Sequence, residues 1–132
     1  MAELSAAGRA AAALLEQKET VARSVTGLLY AEMPWLHDRY GERGRIKCLQ
    51  DMRYNLEHLI PAVELQAPEM FARYAAWADG LLRARGVDTA ELLRSMELME
   101  SDVRARMGAE EAAAVGECLR AGIGALRAPE PA

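Results

Sequence analysis

What most constrains the fold of this chain is the make-up of its apolar half. Hydrophobic residues fill 52% of the 132 positions. They are drawn mainly from Ala, Leu and Met, with Val and Ile scarce. Unbranched side chains lose little rotamer freedom in a helix, whereas strands favour branched and aromatic ones. The set predicts an all-α fold. Apolar spacing places helices over 3–16, 18–32, 44–64, 68–85, 89–107 and 109–127, about six in all. Pro34 closes the second, because the residue before a proline avoids the α region. Residues 34–43, with Trp35, His37, Tyr40 and Gly41, read as a loop. Pro61 kinks the 44–64 helix or marks its last turn. Pro68 suits a first helical position, Gly86 a left-handed C′ position, and Asp88 or Thr89 an N-cap. The apolar face of 68–85 is Phe71, Tyr74, Ala75, Trp77, Ala78, Leu81 and Leu82.

The length suits one domain with a real core, spanning 1–128, and a disordered tail over 129–132. The net charge of −4 argues against nucleic acid as a partner. No apolar run approaches the roughly 20 residues that span a bilayer. Glu3, Arg9 and Glu16 interrupt what a secretory leader needs, so the expected location is cytoplasmic. There Cys48 and Cys118 are expected as free thiols. Two histidines without ligand spacing do not make a zinc site. There is no nucleophile–base–acid set, glycine-rich phosphate loop or metal cluster, and the reading is non-enzymatic. Glu110 and Glu111 belong in a first helical turn, where the macrodipole favours acids.

The chemistry concentrates in Gly44–Leu56, sequence GRIKCLQDMRYNL. At 100° per residue, Lys47, Asp51 and His58 share one strip, with Cys48 and Asn55 at its edge. Leu49, Met52, Leu56, Leu59 and Val63 form the adjacent apolar strip. A thiol, an ammonium and a carboxylate thus border a buried face. Lys47, Arg45 and a nearby helix N-terminus would lower the Cys48 pKa and favour the nucleophilic thiolate. The plainer alternative is a packing thiol, since free cysteine is among the most buried residue types. Such a border suits an elongated ligand with an electrophilic end, central nitrogens and peripheral acids.

The stretch from Tyr40 to Leu126, about two thirds of the chain, resembles the phycobiliproteins, the bilin-carrying globin-fold family. Lys47-Cys48-Leu49-Gln50-Asp51 stands where that family has its Lys-Cys-x-Arg-Asp attachment motif, with Tyr54 and Leu56 matching just after it. The likeness continues through Arg83–Leu93, Gly108–Ala113 and Gly122–Leu126. It implies a globin-like fold of phycobiliprotein type. It also implies a linear tetrapyrrole of phycocyanobilin or biliverdin type, with Cys48 as candidate thioether anchor and Asp51 under the pyrrole nitrogens. Lys47, Arg45 and Arg43 are then candidates for the propionates. Tyr54 would stack or hydrogen-bond, His58 would touch a ligand edge, and Trp77 or Tyr74 would form a pocket wall. Gln50 replaces the arginine that pairs with a propionate, and Asn55 replaces an aromatic residue. The chain ahead of Cys48 is too short for the N-terminal hairpin of antenna proteins. The implied relative is therefore similar to the bilin biosynthesis-associated globins of bacteria without phycobilisomes: a carrier, store or photosensor, with bilin-biosynthesis enzymes and a second copy of the chain as candidate partners. The segment Met33–Gly41 also resembles helical regulatory segments found ahead of cobalamin-binding domains. Two other readings stand beside this one. One is a ligand-free globin-like module that signals by dimerising. The other is a haem globin, although 68–85, the region that would supply the axial ligand, has no histidine.

Overall fold

The computed structural model describes residues 4–127, and all regular structure among them is helical. The described residues form five helices: α1 (Ala6–Glu32), α2 (Trp35–Glu64), α3 (Pro68–Ala84), α4 (Thr89–Arg106) and α5 (Ala109–Arg127). The links between them are two to four residues long, so neighbours in sequence pack as neighbours in space. The 129–132 tail lies outside the described residues.

Where two N-terminal helices were expected, α1 runs unbroken through Gln17. The reason is local: Gln17-Lys18-Glu19 are good helix formers, and nothing among them breaks the ladder. Ser5 caps its start, its Oγ accepting the Gly8 N–H at 3.0 Å. Ala7, Ala10, Ala11, Leu14, Val21, Ala22, Val25 and Leu29 form one buried stripe at helical spacing.

The expected loop at 34–43 is helical too. Pro34 sits at φ −62°, ψ −22° and opens the short turns Trp35–Tyr40. Gly41, at φ 67°, ψ −168°, breaks the helical path, after which α2 resumes and runs to Glu64. Pro61 falls in the last turn and ends nothing before it.

α1 packs chiefly on α2 and α3 on α5, while α5 touches all four other helices. Phe71, Ala75 and Ala78 are the buried face of α3. A Cβ on Gly122 would come within 2.7 Å of the Phe71 ring, so the glycine is what lets α5 close on α3. On the same helix Trp77, expected in the core or on a pocket wall, is 60% exposed, and Leu81 is exposed as well. The core needs only the narrow face that alanines fill. Leu92, Met96, Met99 and Val103 of α4 and Val115, Cys118, Leu119 and Ile123 of α5 complete the main core. Leu29, Tyr30 and Leu36 form a smaller cluster at the junction of α1 and α2. Glu110 and Glu111, at the start of α5, both bind Arg9 of α1, at 3.0 and 2.8 Å.

Candidate functional site

Between the main core and the smaller cluster lies a half-open cavity of about 230 Å³. Three turns of α2 set one wall: Gly44, Lys47, Cys48, Asp51 and Met52. Leu29 and Tyr30 from α1 and Leu36 and Tyr40 from the turns before Gly41 set another. The α3–α4 corner closes it with Leu82, Arg85, Val87, Glu91, Leu92 and Ser95. That corner is a Schellman turn. Gly86, at φ 84°, donates its N–H to Arg83 (3.0 Å), and Val87 donates to Leu82 (2.9 Å). The motif folds Val87 back beside Leu82, which is why both reach the cavity. The wall is mostly apolar, with charges at its mouth.

The structure thus brings together Lys47, Cys48 and Asp51. It takes Arg45 elsewhere: its guanidinium lies over the Tyr30 ring, 5.1 Å from the centroid, and it borders a separate hollow with Arg23, Thr26 and Glu42. Gln50 and Arg43 point to solvent. Asn55 is in the core, 2% exposed, and its Oδ1 accepts the Tyr74 hydroxyl at 2.6 Å. Tyr54 is 58% exposed. His58 lies outside the cavity, with Nδ1 3.0 Å from the Tyr54 carbonyl and its ring stacked on Tyr74 at 4.1 Å. Trp77 tilts against Tyr74 at 6.0 Å. Tyr54, His58, Tyr74 and Trp77 are therefore an aromatic ladder across α2 and α3. None of its four members lines the cavity.

The Cys48 thiol does not have the lowered pKa expected for it. It is pushed up to about 11, first by burial and then by the Asp51 carboxylate. Lys47 is exposed, at the rim of the cavity. The nearest break in the helix, at Gly41, is also too far back for its macrodipole to act. Asp51 is half-buried, and burial raises its pKa against the pull of Lys47 and Arg85. Glu91 is raised as well, first by burial. Ser95 is satisfied within its own helix, donating to the Leu92 carbonyl at 2.6 Å.

The α2 part of the site was visible in the sequence. Tyr40, Arg85, Glu91 and Ser95 were not, because they come to Cys48 only through tertiary packing. Gly86 was the one available signal, since its turn decides which side chains of the corner face α2. Among the described residues no group of His, Cys, Asp or Glu side chains is placed to hold a metal ion, and no helix is long and apolar enough to cross a membrane. No protein-family model matches the chain, and no curated protein matches it.

Proposed function

We propose that this is a bilin-binding protein of the phycobiliprotein-like globin class, and that it holds its tetrapyrrole non-covalently at neutral pH. The observation that supports this most is that Lys47, Cys48 and Asp51 share one wall of a mostly apolar cavity. A half-buried carboxyl with a raised pKa gains from a donor supplied by a ligand, and pyrrole N–H groups are such donors. Lys47 and Arg85, both exposed, stand at the mouth, where each can give a propionate a charge-assisted hydrogen bond. The cavity is smaller than the roughly 300–1,000 Å³ of sites that enclose a whole ligand. It therefore receives one end, and the aromatic ladder from Tyr54 to Trp77 offers the surface for the rest. A bilin supplies visible absorption; the protein supplies rigidity and exclusion of water. Cys48 packs against the end in the cavity as a neutral thiol, since thioether formation needs the thiolate.

The test is co-production with a bilin-synthesis pathway, then an absorption spectrum and a denaturing gel stained for zinc-dependent bilin fluorescence. The expected result is a coloured protein with no fluorescent band. Cys48→Ala keeps the colour, and Asp51→Asn loses or shifts the long-wavelength band. A colourless protein overturns the binding reading. A band that vanishes in Cys48→Ala overturns its non-covalent part.

A second reading, a ligand-free module that dimerises, is favoured by the exposure of Tyr54 and Trp77. It expects a colourless homodimer that Trp77→Ala dissociates in sedimentation.

A further inference from the structure

The turns Trp35–Tyr40 have the form of a separate piece. Gly41 ends them in the left-handed region, at φ 67°, and a Cβ there would meet nothing within 4 Å. The glycine is thus required by the backbone path and not by lack of space. At the other end Met33 (φ −123°, ψ 70°) leaves the helical path before Pro34. Leu36 and Tyr40, one turn apart, both face the cavity, while Trp35, His37, Asp38 and Arg39 face solvent. Leu36, 2% exposed, belongs to the small cluster with Leu29 and Tyr30 and not to the main core.

What holds the piece down is one buried side chain, Leu36, and a few long polar contacts. The Arg39 guanidinium donates to the Gly86 carbonyl at 3.3 Å and lies 3.8 Å from the Asp88 carboxylate. The Tyr40 hydroxyl is 3.4 Å from the Gly86 carbonyl and 3.4 Å from both Glu91 carboxylate oxygens, and its one proton is shared among them. These distances lie beyond the usual hydrogen-bond optimum of about 2.9 Å. All the contacts converge on the Schellman glycine and the first turn of α4. Beneath, a Cβ on Gly44 would overlap the Cβ of Tyr40, so only glycine lets the piece lie flat on α2.

We propose that Trp35–Tyr40 is a lid over the cavity, hinged at Pro34 and Gly41 and latched by Tyr40 on the α3–α4 corner, and that ligand enters when it lifts. Its purpose rests on the reading of the cavity as a ligand site, but its test does not, because Cys48 lies beneath it and reports opening without any ligand. Lids of this size move when few apolar contacts and weak exposed hydrogen bonds hold them.

The experiment is thiol alkylation of the purified protein at one fixed alkaline pH, with iodoacetamide and with a bulky maleimide. Mass spectrometry reads Cys48 and Cys118 separately. Cys118, buried in α5, reports global unfolding. Tyr40→Phe keeps the ring and removes the latch. It is expected to speed Cys48 labelling about fivefold, the factor that matches about 1 kcal/mol for one net hydrogen bond. Gly44→Ala wedges Tyr40 upward and is expected to speed it roughly tenfold, within the range of overpacking effects. In both, the bulky reagent gains at least as much as the small one and Cys118 stays slow. Unchanged Cys48 rates in Tyr40→Phe overturn the lid. So does a gain that vanishes when each rate is divided by the Cys48 thiolate fraction from a separate pH–rate profile, which would mean a changed thiol pKa and not a gate. Acceleration of Cys118 in parallel overturns it as well, since that is unfolding. A protein that binds no bilin but labels as expected keeps the lid and loses the bilin.

Discussion

The Tyr74 hydroxyl donates to the Asn55 Oδ1 at 2.6 Å, and the Asn55 amide also lies 3.8 Å from the Met52 sulfur. Neither asparagine nor tyrosine is common inside a helical core, and each is tolerated here because it satisfies the other. Tyr74→Phe keeps the ring that His58 stacks on and removes only the donor, leaving a buried acceptor without its partner. The expected cost is about 1–2 kcal/mol, read as a lower urea midpoint at unchanged slope. An unchanged midpoint would mean that water reaches the Asn55 carbonyl. In the sequence, Asn55 stood at the edge of a polar strip and read as a ligand contact. It is 2% exposed, in the core, because α3 lies over that edge, and helical periodicity does not say where a neighbouring helix lies. Trp77 carried the opposite ambiguity. Its size and spacing suited a core, but the alanines flanking it let α3 pack on α5 and leave the indole in solvent.

The helices themselves end by one device used twice. After α3, Gly86 takes the left-handed position. After α2 the same pattern recurs, with Gln66 donating to Val63 at 3.1 Å and Ala67 to Ala62 at 2.9 Å, but the left-handed residue is Gln66, at φ 51°. A side chain there is strained where glycine is not. Gln66→Gly is therefore expected to stabilise the protein by about 0.5–1 kcal/mol, seen as a higher melting temperature. A lower one would show that the Gln66 side chain contributes more than its backbone costs. These two turns divide what the sequence could reveal. Gly86 and Pro68 announced a helix end and a helix start, because each has few other uses. Gln66 announced nothing, and Gly41 read as one residue of a loop when it is a break between two helical stretches. The missing boundary at Gln17 has the same source. A dip in apolar periodicity, without a residue that physically interrupts hydrogen bonding, does not end a helix.

At the scale of the whole molecule, the two apolar clusters are joined at few places, and Cys48 is one of them, packed against both. Cys118 sits within the main core. Burial pushes both thiols up to about 11 from an ordinary value near 9. The sign of the consequence follows from proton counting. Between those two values the unfolded chain has released thiol protons that the folded chain still holds, so the folded state binds more protons and stability falls as pH rises through that window. Below it the two states hold the same thiol protons, and the contribution is constant. Tyr30, Tyr40 and Tyr74 are also raised, each first by burial, and extend the decline beyond the thiol range. The expected measurement is a chemical-denaturation midpoint that is level near neutrality with respect to these groups and drops progressively from about pH 9 to about 11. Cys48→Ala and Cys118→Ala each flatten part of that drop, whatever they do to the starting stability, because each removes one of the retained protons. If neither variant changes the slope, the thiols are not held neutral by the fold. A midpoint that instead rises with pH below about 9, and loses that rise in Cys48→Ala, would mark Cys48 as the activated nucleophile that its neighbours in sequence suggest, and a covalent tetrapyrrole would become the better reading of the cavity.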